Sequence, residues 1–112
     1  MHELTITQNM LKVVLEQAKE AGAKKVERIN LVIGEMTGIV SESVQFYFDF
    51  LKKETPAEGA VLCFTRILAK VKCRACSKTF ELEIDSVCPY CKASDMELLS
   101  GKELFVESIE VD

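Results

Sequence analysis

Cys73-Arg74-Ala75-Cys76, eleven further residues, then Cys88-Pro89-Tyr90-Cys91 is the stretch on which the reading of this 112-residue chain turns. Two C-x-x-C pairs at this separation supply four thiolates, a full tetrahedral shell for Zn²⁺. Each pair suits a tight turn, because two sulfurs three residues apart can address one ion while backbone N–H groups face them. Pro89 fixes one backbone angle inside the second turn. A four-sulfur shell is closed to water and substrate, so a zinc held by Cys73, Cys76, Cys88 and Cys91 is structural rather than catalytic. Two disulfides or a redox dithiol are the competing readings, and the doubled pair favours metal.

Composition sets the frame around this motif. Hydrophobic residues make up 48% of the chain, enough to bury a core. The net charge of −4 argues against nucleic acid and anionic membrane as partners. The cysteine-rich stretch itself is electrically balanced. Lys70, Lys72, Arg74, Lys78 and Lys92 are matched by Glu81, Glu83, Asp85, Asp95 and Glu97. Met1-His2-Glu3 does not open a signal peptide, and no apolar run approaches the ~20 residues that span a bilayer. A cytoplasmic location is the expectation, with thiols kept reduced and free for metal. The fifth cysteine, Cys63, lies between Leu62 and Phe64 in a strand-like run and reads as a small buried hydrophobe.

Outward from the motif, the flanks read as an α/β layer unit. Residues 4–21 carry a helical stripe of Ile6, Met10, Val13, Val14, Ala18 and Ala21, with Thr5 and Gln8 as a capping box and Gly22 as the stop. Residues 25–34 alternate as a strand, with Ile29, Leu31 and Ile33 on one face. Ser41 is a plausible N-cap for a second helix running to about Glu54, striped by Val44, Tyr47, Phe48 and Leu51. Phe46 and Phe50 fall on nearly the opposite side. The first helix covering them is the favoured reading, and a docking face for a partner or a second subunit is the alternative. Residues 60–72 form a strand-like run leading straight into Cys73. A short strand over Phe80, Leu82 and Ile84 connects the two knuckles, and Met96 to Leu99 is a further candidate. Leu104 to Val111 closes the chain as a strand with Phe105, Ile109 and Val111 on one side. That last strand is too short and apolar to stand alone, so it returns to the sheet of residues 25–34 and 60–69. The expected fold class is therefore α+β: a small unit of two helices and a three-stranded sheet, residues 1–69 and 101–112, with an inserted four-cysteine zinc-ribbon module, residues 70–100.

Catalytic constellations are scarce. The single histidine, His2, stands at the chain start, and no phosphate-binding glycine loop is present. A histidine at position 2 usually has no metal role. Here the α-amino group, the His2 imidazole and the main-chain nitrogens of His2 and Glu3 can form a planar nitrogen set, the geometry that selects Ni(II) or Cu(II). Glu3 adds a carboxylate.

Taken together, Met1-His2-Glu3, the helix and strand leading into Ile33-Gly34-Glu35, the two late C-x-x-C pairs and the acidic-apolar strand Phe105 to Val111 resemble one family. The chain is similar, over essentially its whole length, to the hydrogenase maturation nickel metallochaperones, the HypA/HybF family. The resemblance implies a nickel metallochaperone, not an enzyme, that carries labile Ni(II) at Met1, His2 and Glu3 and holds structural Zn(II) at Cys73, Cys76, Cys88 and Cys91. It implies delivery to the large-subunit precursor of nickel-iron hydrogenase in cooperation with an accessory GTPase, and in some organisms service to urease through its accessory proteins. A homodimer is one use for the Phe46/Phe50 face. The sequence departs from the family pattern at Ile39-Val40-Ser41, where some relatives have an acidic residue. A further departure is Lys92, where many zinc knuckles have glycine. A zinc-ribbon nucleic-acid module and a protein-interaction adaptor with an idle His2 are the two competing classes.

Overall fold

The computed structural model describes residues 3–82 and 87–112. Helix α1 spans Glu3–Glu20, and its buried side is Thr7, Met10, Leu11, Val14 and Ala18. Val13, expected in the stripe, is 46% exposed, because the buried arc is centred on Leu11 and Val14. Thr5 lies inside the helix and not ahead of it, so it is no capping residue. The hydroxyl that serves the backbone is that of fully buried Thr7, which donates to the Glu3 carbonyl at 2.6 Å. The helix stops at Gly22 in the left-handed conformation (φ 70°). Gly22 N–H donates to the Lys19 carbonyl and Ala23 N–H to the Ala18 carbonyl, the paired bonds of a Schellman motif.

Strand β1, Val26–Gly34, is the centre of the first sheet. A single 3₁₀ turn, Glu35–Thr37, follows, and Gly38 (φ 72°) ends it. Helix α2 is Ser41–Leu51. Its N-cap is Val40, without a side-chain cap bond, so Ser41 is the first helical residue rather than the cap. Strand β2, Val61–Ile67, returns parallel to β1, with Ile29 opposite Leu62 and Leu31 opposite Phe64. After an excursion through strands β3 (Lys70–Cys73), β4 (Thr79–Glu81) and β5 (Met96–Ser100), the chain comes back as β6, Leu104–Val111, antiparallel to β1 on its other side. The sheet orders are β2-β1-β6 and β4-β3-β5.

Thus the run of residues 60–72 is two strands in different sheets, broken at Leu68 and Ala69. The connecting strand between the knuckles covers Thr79–Glu81; Ile84, expected to extend it, lies outside the described residues. The return of the last strand to the first sheet is as expected, but its inward face is not. Leu104 and Val106 pack on the core together with Ile109 and Val111, while Phe105 is 50% exposed. The register shift between Asn30↔Ser108 and Leu31↔Val106 explains this. One extra residue, Glu107, bulges from β6 and reverses which alternate side chains face inward. A second shift, between Val26 and Arg28, lets Val26 and Ile29 both point into the core despite their spacing of three.

Both helices lie on the inner face of the first sheet. Phe48, Ile29, Val14 and Val26 are almost fully buried there. Each contributes about 1.5–3 kcal/mol from burial. In α2, Val44 and Phe48 are buried and Leu51 is half-buried behind them. Phe46 and Phe50 are 58% and 60% exposed. They stack edge-to-face on each other at 5.3 Å instead of lying under α1, so the favoured reading of these two residues fails. The reason is angular: two residues turn a helix by about 200°, away from the Val44/Phe48 side that α1 and the sheet share. Cys63 is half-buried on the outer face of the sheet, opposite Asn30. The whole molecule is long, 55 × 24 × 16 Å, with a radius of gyration of 17.8 Å. A compact chain of this length has about 13 Å.

Candidate metal centre

The second sheet carries the four cysteines on two turns built alike. Cys73 ends β3. Its N–H donates to the Lys78 carbonyl (2.9 Å) and its carbonyl accepts from Ser77 N–H (2.8 Å). Cys88 repeats both bonds, its N–H to the Ala93 carbonyl (2.8 Å) and its carbonyl from Lys92 N–H (2.9 Å). Closing each turn needs a left-handed residue directly after the second cysteine. Ser77 (φ 63°) and Lys92 (φ 66°) take that conformation without being glycine, at a cost of about 1–3 kcal/mol each.

These turns bring the four sulfurs to one point. Cys73 Sγ lies 3.5 Å from Cys91 Sγ, and Cys76 Sγ lies 3.6 Å from Cys88 Sγ. All four sulfurs are within 4.8 Å of one another. A tetrahedron with Zn–S bonds of ~2.3 Å has sulfur–sulfur edges of about 3.8 Å. The donor set therefore fits a four-coordinate soft-ligand ion, and the cysteines are free thiols rather than disulfides. Cys73 and Cys88 are fully buried, Cys76 is half-buried and Cys91 is exposed.

The backbone prepares some of these sulfurs for charge. N–H groups of Cys76 and Ala75 hold the Cys73 thiol below its usual range, against burial. At Cys88, burial pushes the thiol up, but N–H groups of Cys91 and Tyr90 outweigh it and bring it down to about 6. Tyr90 N–H points at Cys88 Sγ from 3.4 Å. Cys91 feels an opposing pull. The Ala93 N–H lowers it, yet contact with Cys73 sulfur, burial and the other thiols push it up to about 12. Four sulfurs this close cannot all ionise without a cation among them.

Two contacts that the sequence did not announce join the turns. Lys78 Nζ sits 4.3 Å over the Tyr90 ring, crossing from the first knuckle to the second. Arg74 donates to Asp95 at 2.7 Å, tying the first knuckle to the segment before β5. Lysine and aromatic residues near paired cysteines are the faint signal that could have found the first.

The second group of candidate ligands is Met1, His2 and Glu3. Met1 and His2 lie outside the described residues. Glu3 is half-exposed in the first turn of α1. That turn lies at the end of the first sheet from which the second sheet departs, because Ile6 and Met10 line one apolar groove with Ile33, Val44 and Leu104.

A helix-covered three-stranded sheet interrupted by a ribbon with four clustered thiols defines a metal-binding protein. The family model described as "Hydrogenase/urease nickel incorporation, metallochaperone, hypA" matches residues 1–111, and the chain belongs to this family of metallochaperones, which are not enzymes. A hydrogenase maturation factor HypA from Dehalococcoides mccartyi (strain 195) is 50% identical over 113 residues, covering 100% of this chain and 95% of the relative. The one from Caldanaerobacter subterraneus subsp. tengcongensis is 45% identical over 114 residues, covering 100% of both. Among solved structures, the solution structure of the Ni metallochaperone HypA from Helicobacter pylori matches with a TM-score of 0.65 at 26% identity, over 99% of this chain and 97% of that one. The family's role is nickel incorporation in hydrogenase maturation.

Proposed function

We propose that this protein carries Ni(II) on its N-terminal residues and delivers it to the large-subunit precursor of nickel-iron hydrogenase, while a structural Zn(II) sits at Cys73, Cys76, Cys88 and Cys91. Its partners are that precursor and the accessory GTPase, with urease accessory proteins in cells that make urease. It works in the cytoplasm. Residues 1–69 and 101–112 form the nickel-binding domain and residues 70–100 the zinc ribbon.

The observation that carries this reading is the family match over residues 1–111, which includes both ligand groups. The local chemistry supports it. Glu3 stands in the first turn of α1, where main-chain N–H groups have no acceptor four residues earlier. Those nitrogens, the Met1 amine and the His2 imidazole suit a planar Ni(II) shell. A site at a helix start can release its ligands one at a time, which suits transfer. The four-thiol shell does the opposite, since it offers cargo no open position.

Nickel titration by calorimetry, with metal counting on the native N-terminus, tests the assignment. His2→Ala, and separately one extra residue ahead of Met1, are expected to abolish tight nickel binding while one zinc per chain remains. Nickel binding that survives both changes refutes it.

A further inference from the structure

Two short linkers join the sheets: Leu68 and Ala69 between β2 and β3, and residues 101–103 between β5 and β6. Linkers that act as hinges run over the surface with few contacts. Here Ala69 is fully buried and Gly101 is buried. The linkers touch each other, since a Cβ on Gly101 would stand 2.9 Å from the Ala69 Cα, and Gly101 needs a φ of 116° to pass. The end of β1 grips them. Gly34 N–H donates to the Glu103 carbonyl (2.6 Å) and Met36 N–H to the Gly101 carbonyl (2.7 Å). A side chain on Gly34 would collide with the Gly101 carbonyl, so this approach requires glycine. Two carboxylates then serve the linkers' own N–H groups. Glu103 Oε1 accepts from Gly101 at 2.7 Å, and Glu35 Oε1 accepts from Ala69 at 3.4 Å.

We infer that Gly34, Glu35, Gly101 and Glu103 form a clamp that locks the four-cysteine module in one orientation on the helix-bearing sheet. The two units move as one rod, and the clamp sits at the end of the sheet where α1 begins. Glu35 and Glu103 are positioning residues in this device. The inference stands whichever metal either unit holds, so its failure and that of the nickel assignment are separable.

Residual dipolar couplings on the full-length, metal-loaded chain test it first. One alignment tensor is expected to describe residues 3–67, 70–82, 87–100 and 104–112 together. Two tensors of different magnitude overturn the clamp. Hydrogen exchange tests the carboxylates. Glu103→Ala is expected to speed Gly101 amide exchange by about tenfold, and Glu103→Gln, which keeps an acceptor oxygen, by less than about twofold. The double variant Glu35→Ala with Glu103→Ala is expected to split the single tensor. Unchanged Gly101 exchange in Glu103→Ala, or a single tensor in the double variant, overturns the assignment of the two carboxylates.

Discussion

Stripping the metal from the four cysteines should unfold the ribbon and leave the helix-bearing sheet standing but weakened. Within residues 70–100 the buried described side chains are Val71, Cys73 and Cys88. Burial of Val71 is worth about 1.5–3 kcal/mol, whereas a structural zinc supplies roughly 10–16 kcal/mol of folding free energy. Among its described residues the ribbon buries no further apolar side chain to replace that contribution. The first sheet has an apolar core, but it needs β6, which lies beyond the ribbon in the chain. With the ribbon folded, only five linker residues, 68–69 and 101–103, lie between β2 and β6 outside the ribbon. With it unfolded the loop is about 36 residues, close to three doublings at about 0.6 kcal/mol each, so the sheet loses about 2 kcal/mol. For a unit of this size that lowers Tm by about 8–16 °C. Chelation followed by two-dimensional amide NMR and thermal melting measures both effects. Signals of residues 70–82 and 87–100 should collapse to random-coil positions while those of Val26–Gly34 stay dispersed. A ribbon that stays folded without metal refutes the reasoning. So does a first sheet that melts together with the ribbon.

Other outcomes follow from single contacts. Phe48→Ala should cost about 3–5 kcal/mol in urea unfolding, while Phe46→Ala, at an exposed position of the same helix, should stay within about 0.5 kcal/mol. Gly34→Ala should cost about 1–3 kcal/mol or more through its collision with Gly101, read from the same unfolding curves. Asp112 accepts from Lys24 and Lys25 N–H at 2.9 and 3.0 Å, and the Lys25 bond in particular holds its carboxyl below the usual range. Its stabilisation is therefore complete above the unfolded carboxyl pKa of about 3.9 and fades only as pH falls through the lower folded value. Amide exchange at Lys24 and Lys25 should show that acid loss, and Asp112→Asn should abolish the pH dependence. On the proposed N-terminal nickel site, affinity should fall as pH drops below neutral, because an imidazole and an α-amine, with reference pKa values of about 6.5 and 7.7–8.0, must lose their protons to bind metal. Titrations at stepped pH check this, with zinc content expected to hold steady.

Much of the plan was legible in the residues. The doubled C-x-x-C placed the metal cluster because four thiols at that spacing have few other uses. Gly22 ended α1 where a left-handed residue was needed. The apolar closing strand implied a return to the first sheet, because it could not remain in water. The misreadings were local. Thr5 and Ser41 look like caps, but capping depends on where a helix begins, and α1 already includes Glu3 while α2 begins at Ser41 itself, after Val40. Phe105 follows strict alternation in sequence and breaks it in space, since a bulge at Glu107 is decided by pairing with β1. Phe46 and Phe50 needed the position of α1, which periodicity within α2 does not contain.

By itself the sequence determined the four-thiol cluster, its two knuckles, the two helices and the family, because these depend on residue type and short spacing. Tertiary structure alone decided how the ribbon is mounted. Gly34 and Gly101 stand far apart in the chain, and nothing in the sequence says that they meet. Their meaning appears only when a strand end and two linkers meet so closely that neither position has room for a side chain.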